Sequence, residues 1–212
     1  DAPEVLERLS PPRGEQSGLF ESAPIEIPPW PWVLPEEPGV DAFEGMVEGQ
    51  TASAYQLEEL QKAAVHYGAY TLVSPTFFSC DDWAAKEATE QQSCAWSSLE
   101  RFCQRAWRKE LAEEEKSRLQ DFWELNLAQG EIEVAIALTA AGILQSPKFM
   151  FRIESGKETE REKGRIRLTD WELASRLSYF LWDSMPDAEL LAAAANGDLS
   201  RPKGIRIQTQ RA

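Results

Sequence analysis

Residues Leu168–Asp187 read LTDWELASRLSYFLWDSMPD, and the order of polar and apolar side chains in this stretch decides the fold. Thr169 followed three positions later by Glu172 is a capping box, in which hydroxyl and carboxylate satisfy backbone N–H groups left without partners at a helix start. Trp171, Ala174, Leu177 and Leu181, with Leu173 and Phe180 one step round, recur at three- and four-residue intervals and so share one helical face. Tyr179 and Trp182 widen that face. The expected helix is covered by protein on most sides, each fully buried aromatic contributing roughly 1.5–3 kcal/mol. Pro186 suits the first turn of a second helix, Asp187 to Ala195, and Asn196-Gly197 supplies its left-handed stop. The stretch predicts a helical hairpin with a short elbow, and it names no reaction.

Moving toward the N-terminus, SGKETEREKGR before Arg167 reads as an exposed, mobile polar loop. Phe149, Met150 and Phe151 form a short apolar segment ahead of Arg152. Glu131–Gln145, EIEVAIALTAAGILQ, alternates over residues 132–138 as a strand would. The Thr-Ala-Ala-Gly-Ile-Leu that follows has helical spacing and little strand propensity, so a helix is expected, ended at Ser146-Pro147. Its small residues, Ala135, Ala140, Ala141 and Gly142, suit the close-packed centre of a bundle. Glu113, Glu114 and Glu115 open a helix running to Asn126 that is expected to bury Leu119, Phe122 and Trp123. A helix from Ala95 to Lys109 turns Leu99, Phe102, Cys103 and Trp107 inward and carries Arg105, Arg108 and Lys109 in its last turn, the sign its dipole favours. Ser53–Ser74 is a further helix with a Ser53/Gln56 capping box and a stripe of Leu57, Leu60, Ala64 and Tyr67 or Gly68. His66, the chain's one histidine, lies beside that stripe and reads as a partly exposed or hydrogen-bonded side chain and not a ligand.

Residues 1–50 differ in kind. Prolines at 3, 11, 12, 24, 28, 29, 31, 35 and 38 forbid a continuing helix or a central strand. An extended arm is expected, with Trp30 and Trp32 set beside Pro29 and Pro31 in a polyproline-like context. Their rings either pack on the chain's own helices or strap onto a partner subunit. The expected organisation is therefore a Pro/Trp-rich arm over 1–50 and an all-α helical domain over 51–212. The closing RPKGIRIQTQRA reads as the opening of one more basic element, so the domain is expected to be truncated at its C-terminus.

Composition limits the function. The 22 basic and 36 acidic residues give a net charge of −14, which repels phosphate backbones and anionic lipid. Nucleic acid is not an expected partner. The acidity serves either as a solubilising surface or as a face for a basic protein. No run reaches the length of a membrane span. Cys80 and Cys94 flank a short polar segment, and an exported protein would join them, closing a loop of about fifteen residues at a gain of roughly 3 kcal/mol. Cys103 reads as a small core residue.

Three segments carry a family resemblance. LERFCQRAWRKELAEEE, AIALTAAGILQSPKFMFRIE and LTDWELASRLSYFLWDSMPDAELLAAAANGDL are similar to segments of large secreted proteins of planctomycetes and myxobacteria, built from conserved domains of unknown function and commonly found beside cytochrome c modules. The likeness covers about residues 95–200. It implies export to the periplasm or cell exterior, an all-helical fold, and the paired cysteines Cys80 and Cys94. Where those proteins have Pro-Leu-Thr at an interhelical elbow, this chain has Glu110-Leu111-Ala112, which predicts a weaker break between the two helices. No C-x-x-C-H occurs, so the chain offers no covalent c-type haem attachment and no cofactor is expected.

Nor does the sequence contain a phosphate loop, a nucleophile elbow or zinc-type Cys/His spacing. Arg101, Arg105, Arg108, Arg152 and Arg176 are expected to pair with acids such as Glu154 and Glu172 and hold helices in register. Two functions fit. One is a non-catalytic extracytoplasmic subunit that binds other proteins, in an electron-transfer or membrane-associated complex, through the arm. The other is part of a secreted redox protein or enzyme whose haem-bearing or catalytic domain lies elsewhere.

Overall fold

The computed structural model describes residues 54–162 and 165–211, without the side chains of 158–162. The expected arm, with Pro29, Trp30, Pro31 and Trp32, lies outside them, as does Ser53 of the first expected capping box. The described chain is all-helical apart from one small hairpin: α1 (Ala54–Tyr70), α2 (Ala88–Trp107), α3 (Glu113–Leu127), α4 (Ile132–Gln145), α5 (Pro147–Met150), β1 (Lys157–Glu162), β2 (Arg165–Arg167), α6 (Asp170–Trp182), α7 (Ala188–Ala195) and α8 (Pro202–Arg211). It divides into two compact units, residues 54–99 with 120–145, and residues 100–119 with 146–162 and 165–211.

In the first unit α4 is the central element. Ala135, Ile136, Ala137, Thr139, Ala140, Ala141 and Ile143 are all buried, as a small-residue helix allows. α1 lies against it so closely that a Cβ on Gly68 would sit 2.5 Å from the Ala137 carbonyl oxygen. Only glycine permits that approach. On the other helix, Asn126 Nδ2 donates to Thr139 Oγ1 at 3.1 Å, so the buried polar pair satisfies itself. Leu57, expected on the buried stripe of α1, is 45% exposed, and the helix stops at Tyr70, short of Ser74. Turn bonds from Thr71, Leu72 and Val73 to Gly68, Ala69 and Tyr70 close it off.

Cys80 and Cys94 form a disulfide. The segment between them is less of a loop than expected, because α2 begins at Ala88 and Cys94 stands within it. Ala-Thr-Glu-Gln-Gln-Ser prolongs the helix backward, since nothing in it breaks one. The rest of the loop is fixed by Trp83, which stacks on Phe78 with centroids 4.5 Å apart and donates Nε1–H to the Gln91 carbonyl at 3.1 Å.

In the second unit the expected capping box is present: Thr169 Oγ1 accepts from Glu172 N and Glu172 accepts from Thr169 N. The helix it starts is less enclosed than its periodicity suggests. Ala174 and Ser178 are buried, whereas Phe180, expected on the inner face, is 83% exposed. The apolar face is wider than what covers it: the cluster behind α6 is Ala174, Leu190, Ala193, Ala194 and Leu199, with Trp171, Leu173 and Trp182 at its edge. Asp187 is the N-cap of α7, accepting from Leu190 N at 2.9 Å, which puts Pro186 ahead of the helix and not in its first turn. Gly197 takes the left-handed conformation at φ 72°. The polar segment 157–167 is an antiparallel hairpin pairing Lys157 with Arg167 and Glu162 with Arg165, in place of the expected mobile loop.

Candidate functional site

α2 stops at Trp107 because Arg108 turns into the left-handed region at φ 58°, which is costly for a residue with a Cβ. What the turn achieves is the placement of its side chain. The guanidinium of Arg108, a residue only 5% exposed, donates from Nη1 to the carbonyls of Ala106 (3.1 Å) and Phe149 (3.2 Å) and from Nη2 to those of Lys148 (2.8 Å) and Phe151 (3.0 Å). Three of the four belong to the one-turn helix α5 and its C-cap, whose carbonyls have no partners within so short a helix. Burial lowers the pKa of Arg108 and the Arg152 cation lowers it further, while the Tyr179 phenol opposes both. An acidic partner was expected for this arginine. The planar fork meets backbone carbonyls instead, which neutralise it without desolvating a second full charge.

The elbow that follows is a full break over residues 108–112, not the weakened one expected, and Leu111 is buried in it. Glu115 replaces the missing threonine cap: its Oε2 accepts from Ala112 N at 2.9 Å. Its Oε1 accepts from Lys109 Nζ at 2.7 Å and from Lys148 Nζ. Burial alone would raise this carboxyl, but the two ammonium groups and the amide bring it down to about 2. Lys148 also lies over the Trp107 ring, 4.7 Å from its centroid. Cys103 is fully buried nearby, and burial, with Glu115 adding to it, pushes its thiol up to about 12, so the sulfur is a packing group and not a nucleophile.

Beyond α5 the chain runs extended along α6 in the opposite direction to the helix. Ser155 N and Gly156 N donate to Glu172 Oε1 at 2.7 and 2.9 Å. Glu154 accepts from Arg176 Nε at 3.0 Å, one turn further along α6. Arg152 then lies over the Tyr179 ring at 4.7 Å. Each rung advances α6 by three or four residues while the extended segment steps back by about two, so Arg152 and Glu154, alternate residues of it, meet the helix. The others, Phe151 and Ile153, face away, 53% and 55% exposed.

These pieces enclose a cleft of about 420 Å³. Trp107, Arg108, Lys109 and Lys148 line one side, Thr169, Trp171, Glu172 and Ser175 another, and Phe151, Ile153 and Glu154 the lip. Most of its charged groups already have structural duties. Arg108 ties carbonyls, Lys109 and Lys148 hold Glu115, Glu154 holds Arg176, and Glu172 caps α6. Two tryptophans and the outward Phe151 and Ile153 make up its apolar surface.

Of the residues singled out from the sequence, Arg108 and Arg152 line this cleft, and Arg176 pairs with the expected Glu154 at its edge. Glu172 serves backbone amides and not an arginine. His66 lies elsewhere, between the Tyr67 and Tyr70 rings at 5.2 and 5.0 Å. Among the described residues no three His, Cys, Asp or Glu side chains gather as a metal site requires, and no helix is long and apolar enough to cross a membrane. Phe151 and Ile153 were not singled out as a site. Their signal was the alternation Phe-Arg-Ile-Glu just after a helix stop.

Fold and cleft together define an all-helical, disulfide-containing protein whose second unit carries an apolar-lipped cleft. Residues 94–154 match the family model described as PSD5: Protein of unknown function (DUF1595), and residues 168–212 match PSD4: Protein of unknown function (DUF1592). Both are known as planctomycete-type domains. The cleft takes Trp107 to Glu154 from the first matched segment and Thr169 to Ser175 from the second. No curated protein and no solved structure matches the chain.

Proposed function

We propose that the chain is a non-catalytic, extracytoplasmic helical subunit that binds other proteins. The observation that carries this reading is the segment 151–155 pinned along α6. It spends its charged side chains on α6 and presents Phe151 and Ile153 to solvent at the lip of the cleft. Ordering exposed apolar side chains on a fixed segment is unfavourable for an isolated protein and favourable for one that covers them with a partner. The Cys80–Cys94 disulfide supports a periplasmic or extracellular setting. The Pro/Trp arm, with Pro29, Trp30, Pro31 and Trp32, is the second element of this proposal, a strap of low ordering entropy laid on a neighbouring subunit. An electron-transfer or membrane-associated complex is the setting that the family resemblance favours.

The test is isolation of the chain under mild conditions from its native source, wild type beside Phe151→Ser/Ile153→Ser and Trp30→Ala/Trp32→Ala. The proposal expects stoichiometric protein partners with the wild type and their loss in both variants. Recovery of the wild type alone, or partners indifferent to both changes, contradicts it.

A further inference from the structure

The second half of α3 carries an unpartnered face in the first unit. Phe122 and Leu125, three residues apart and so on one side of the helix, are 38% and 56% exposed. Their orientation is fixed from behind. Trp123 is buried, Asn126 is tied to Thr139, and the Phe122 ring edge lies against Gly142, where a Cβ would come within 2.5 Å of it.

Charge says what suits this face. From Leu119 to Pro147 the chain has no lysine or arginine, while Asp121, Glu124, Glu131 and Glu133 are all exposed. The nearest base along the helix, Arg118, stands one turn before Phe122 on the same side, where it is paired with Glu114. The same bias holds among the described residues of this unit, 54–99 and 120–145, which have 2 Lys and Arg against 10 Asp and Glu, where those of the second unit have 17 against 15. Acidity that served only solubility would have no reason to collect in one unit beside exposed apolar side chains.

We propose that this face docks a protein partner whose contact surface is basic around an apolar centre. The docking face deepens the reading of the chain as a protein-binding subunit, on which it rests. Leu125 and Phe122 supply the desolvated centre, and the exposed carboxylates of the same unit, Asp121 and Glu124 nearest along the helix, supply attraction and select against acidic or anionic surfaces.

The probe is a blocked eighteen-residue amphipathic helix of lysine and leucine, titrated into the full chain and followed by fluorescence anisotropy of a label on the peptide. Saturable binding is expected, weakening by about tenfold between 50 and 300 mM salt. Asp121→Asn/Glu124→Gln and Phe122→Ser/Leu125→Ser are each expected to weaken it by about fivefold or more. Glu87→Gln/Glu90→Gln removes the same charge from the same unit at a distant helix start and is expected to change it by less than about twofold. Because Asp121 and Glu124 are exposed, their variant keeps the test sound even if the Phe122 variant misfolds, which far-UV circular dichroism would report. The proposal is overturned by absence of saturable binding, by equal weakening in the Glu87/Glu90 control, or by equal affinity for vesicles of anionic phospholipid. Trp30→Ala/Trp32→Ala and Phe151→Ser/Ile153→Ser should leave peptide affinity unchanged, so failure of this face and failure of the wider reading show up in different variants.

Discussion

Arg108 ties the end of α2 to α5 in the second unit. Its four carbonyl partners lie on Ala106, Lys148, Phe149 and Phe151, so its loss unties α5 from the end of α2 and leaves buried oxygens unpaired. Arg108→Lys, which keeps the charge but not the fork, should cost about 2 kcal/mol, and Arg108→Ala about 3–5 kcal/mol, in denaturant unfolding. A loss under about 0.5 kcal/mol would show that the carbonyls find other donors. Glu115 makes a pH prediction. Its folded pKa lies at about 2 against an ordinary 4.5, so its contribution is complete above about pH 4.5 and fades as the pH falls toward 2. Wild-type stability should decline through that window, and Glu115→Gln should be less stable at pH 7 while declining less on acidification. Neither role was legible in the sequence. The arginine's partners stand about forty residues away and are backbone atoms, which no pattern of side chains records. Glu115 read only as the third of the acids that open a helix, and only the fold brings Lys148 to it.

At the level of elements, what was local was readable. The Thr169/Glu172 box closes within one turn and was apparent from spacing; Thr169→Ala should cost about 1 kcal/mol, checked by thermal melting, with the loss confined to the second unit in hydrogen exchange. The small residues of α4 likewise announced a close-packed helix, and Gly68→Ala should destabilise by about 1–3 kcal/mol because the new methyl meets a backbone oxygen that has nowhere to move. Where the sequence misled, the cause was tertiary. A helical period tells which side chains share a face but not how much of that face a neighbour covers, and Phe180 lies past the edge of the covering cluster. The hairpin at 157–167 carries no alternation of apolar and polar residues, since nearly every side chain in it is polar; its pairing is a matter of backbone alone. The pinned segment 151–155 was half visible, as an apolar segment without its anchoring partners.

For the whole molecule, the all-α class and the disulfide were both legible, one from repeated caps and periods, the other from two cysteines around a short polar stretch. The partition into an acidic unit and a nearly balanced one was not, because it depends on where α2 and α3 divide in space. Reducing the Cys80–Cys94 bridge, which closes a separation of 14 residues, should lower stability by roughly 3 kcal/mol and release Trp83 from its stack on Phe78, seen as a shift in tryptophan emission. An unchanged melting temperature after reduction would mean that the loop is held by its side chains alone. The binding reading rests on exposed apolar groups that the fold fixes in place, and one measurement addresses it directly. Hydroxyl-radical footprinting of Phe151, Ile153, Phe122 and Leu125 should compare the protein in its native assembly with the purified chain. The account predicts strong protection of Phe151 and Ile153 in the assembly and reactivity in the isolated protein; equal reactivity in both states would contradict it.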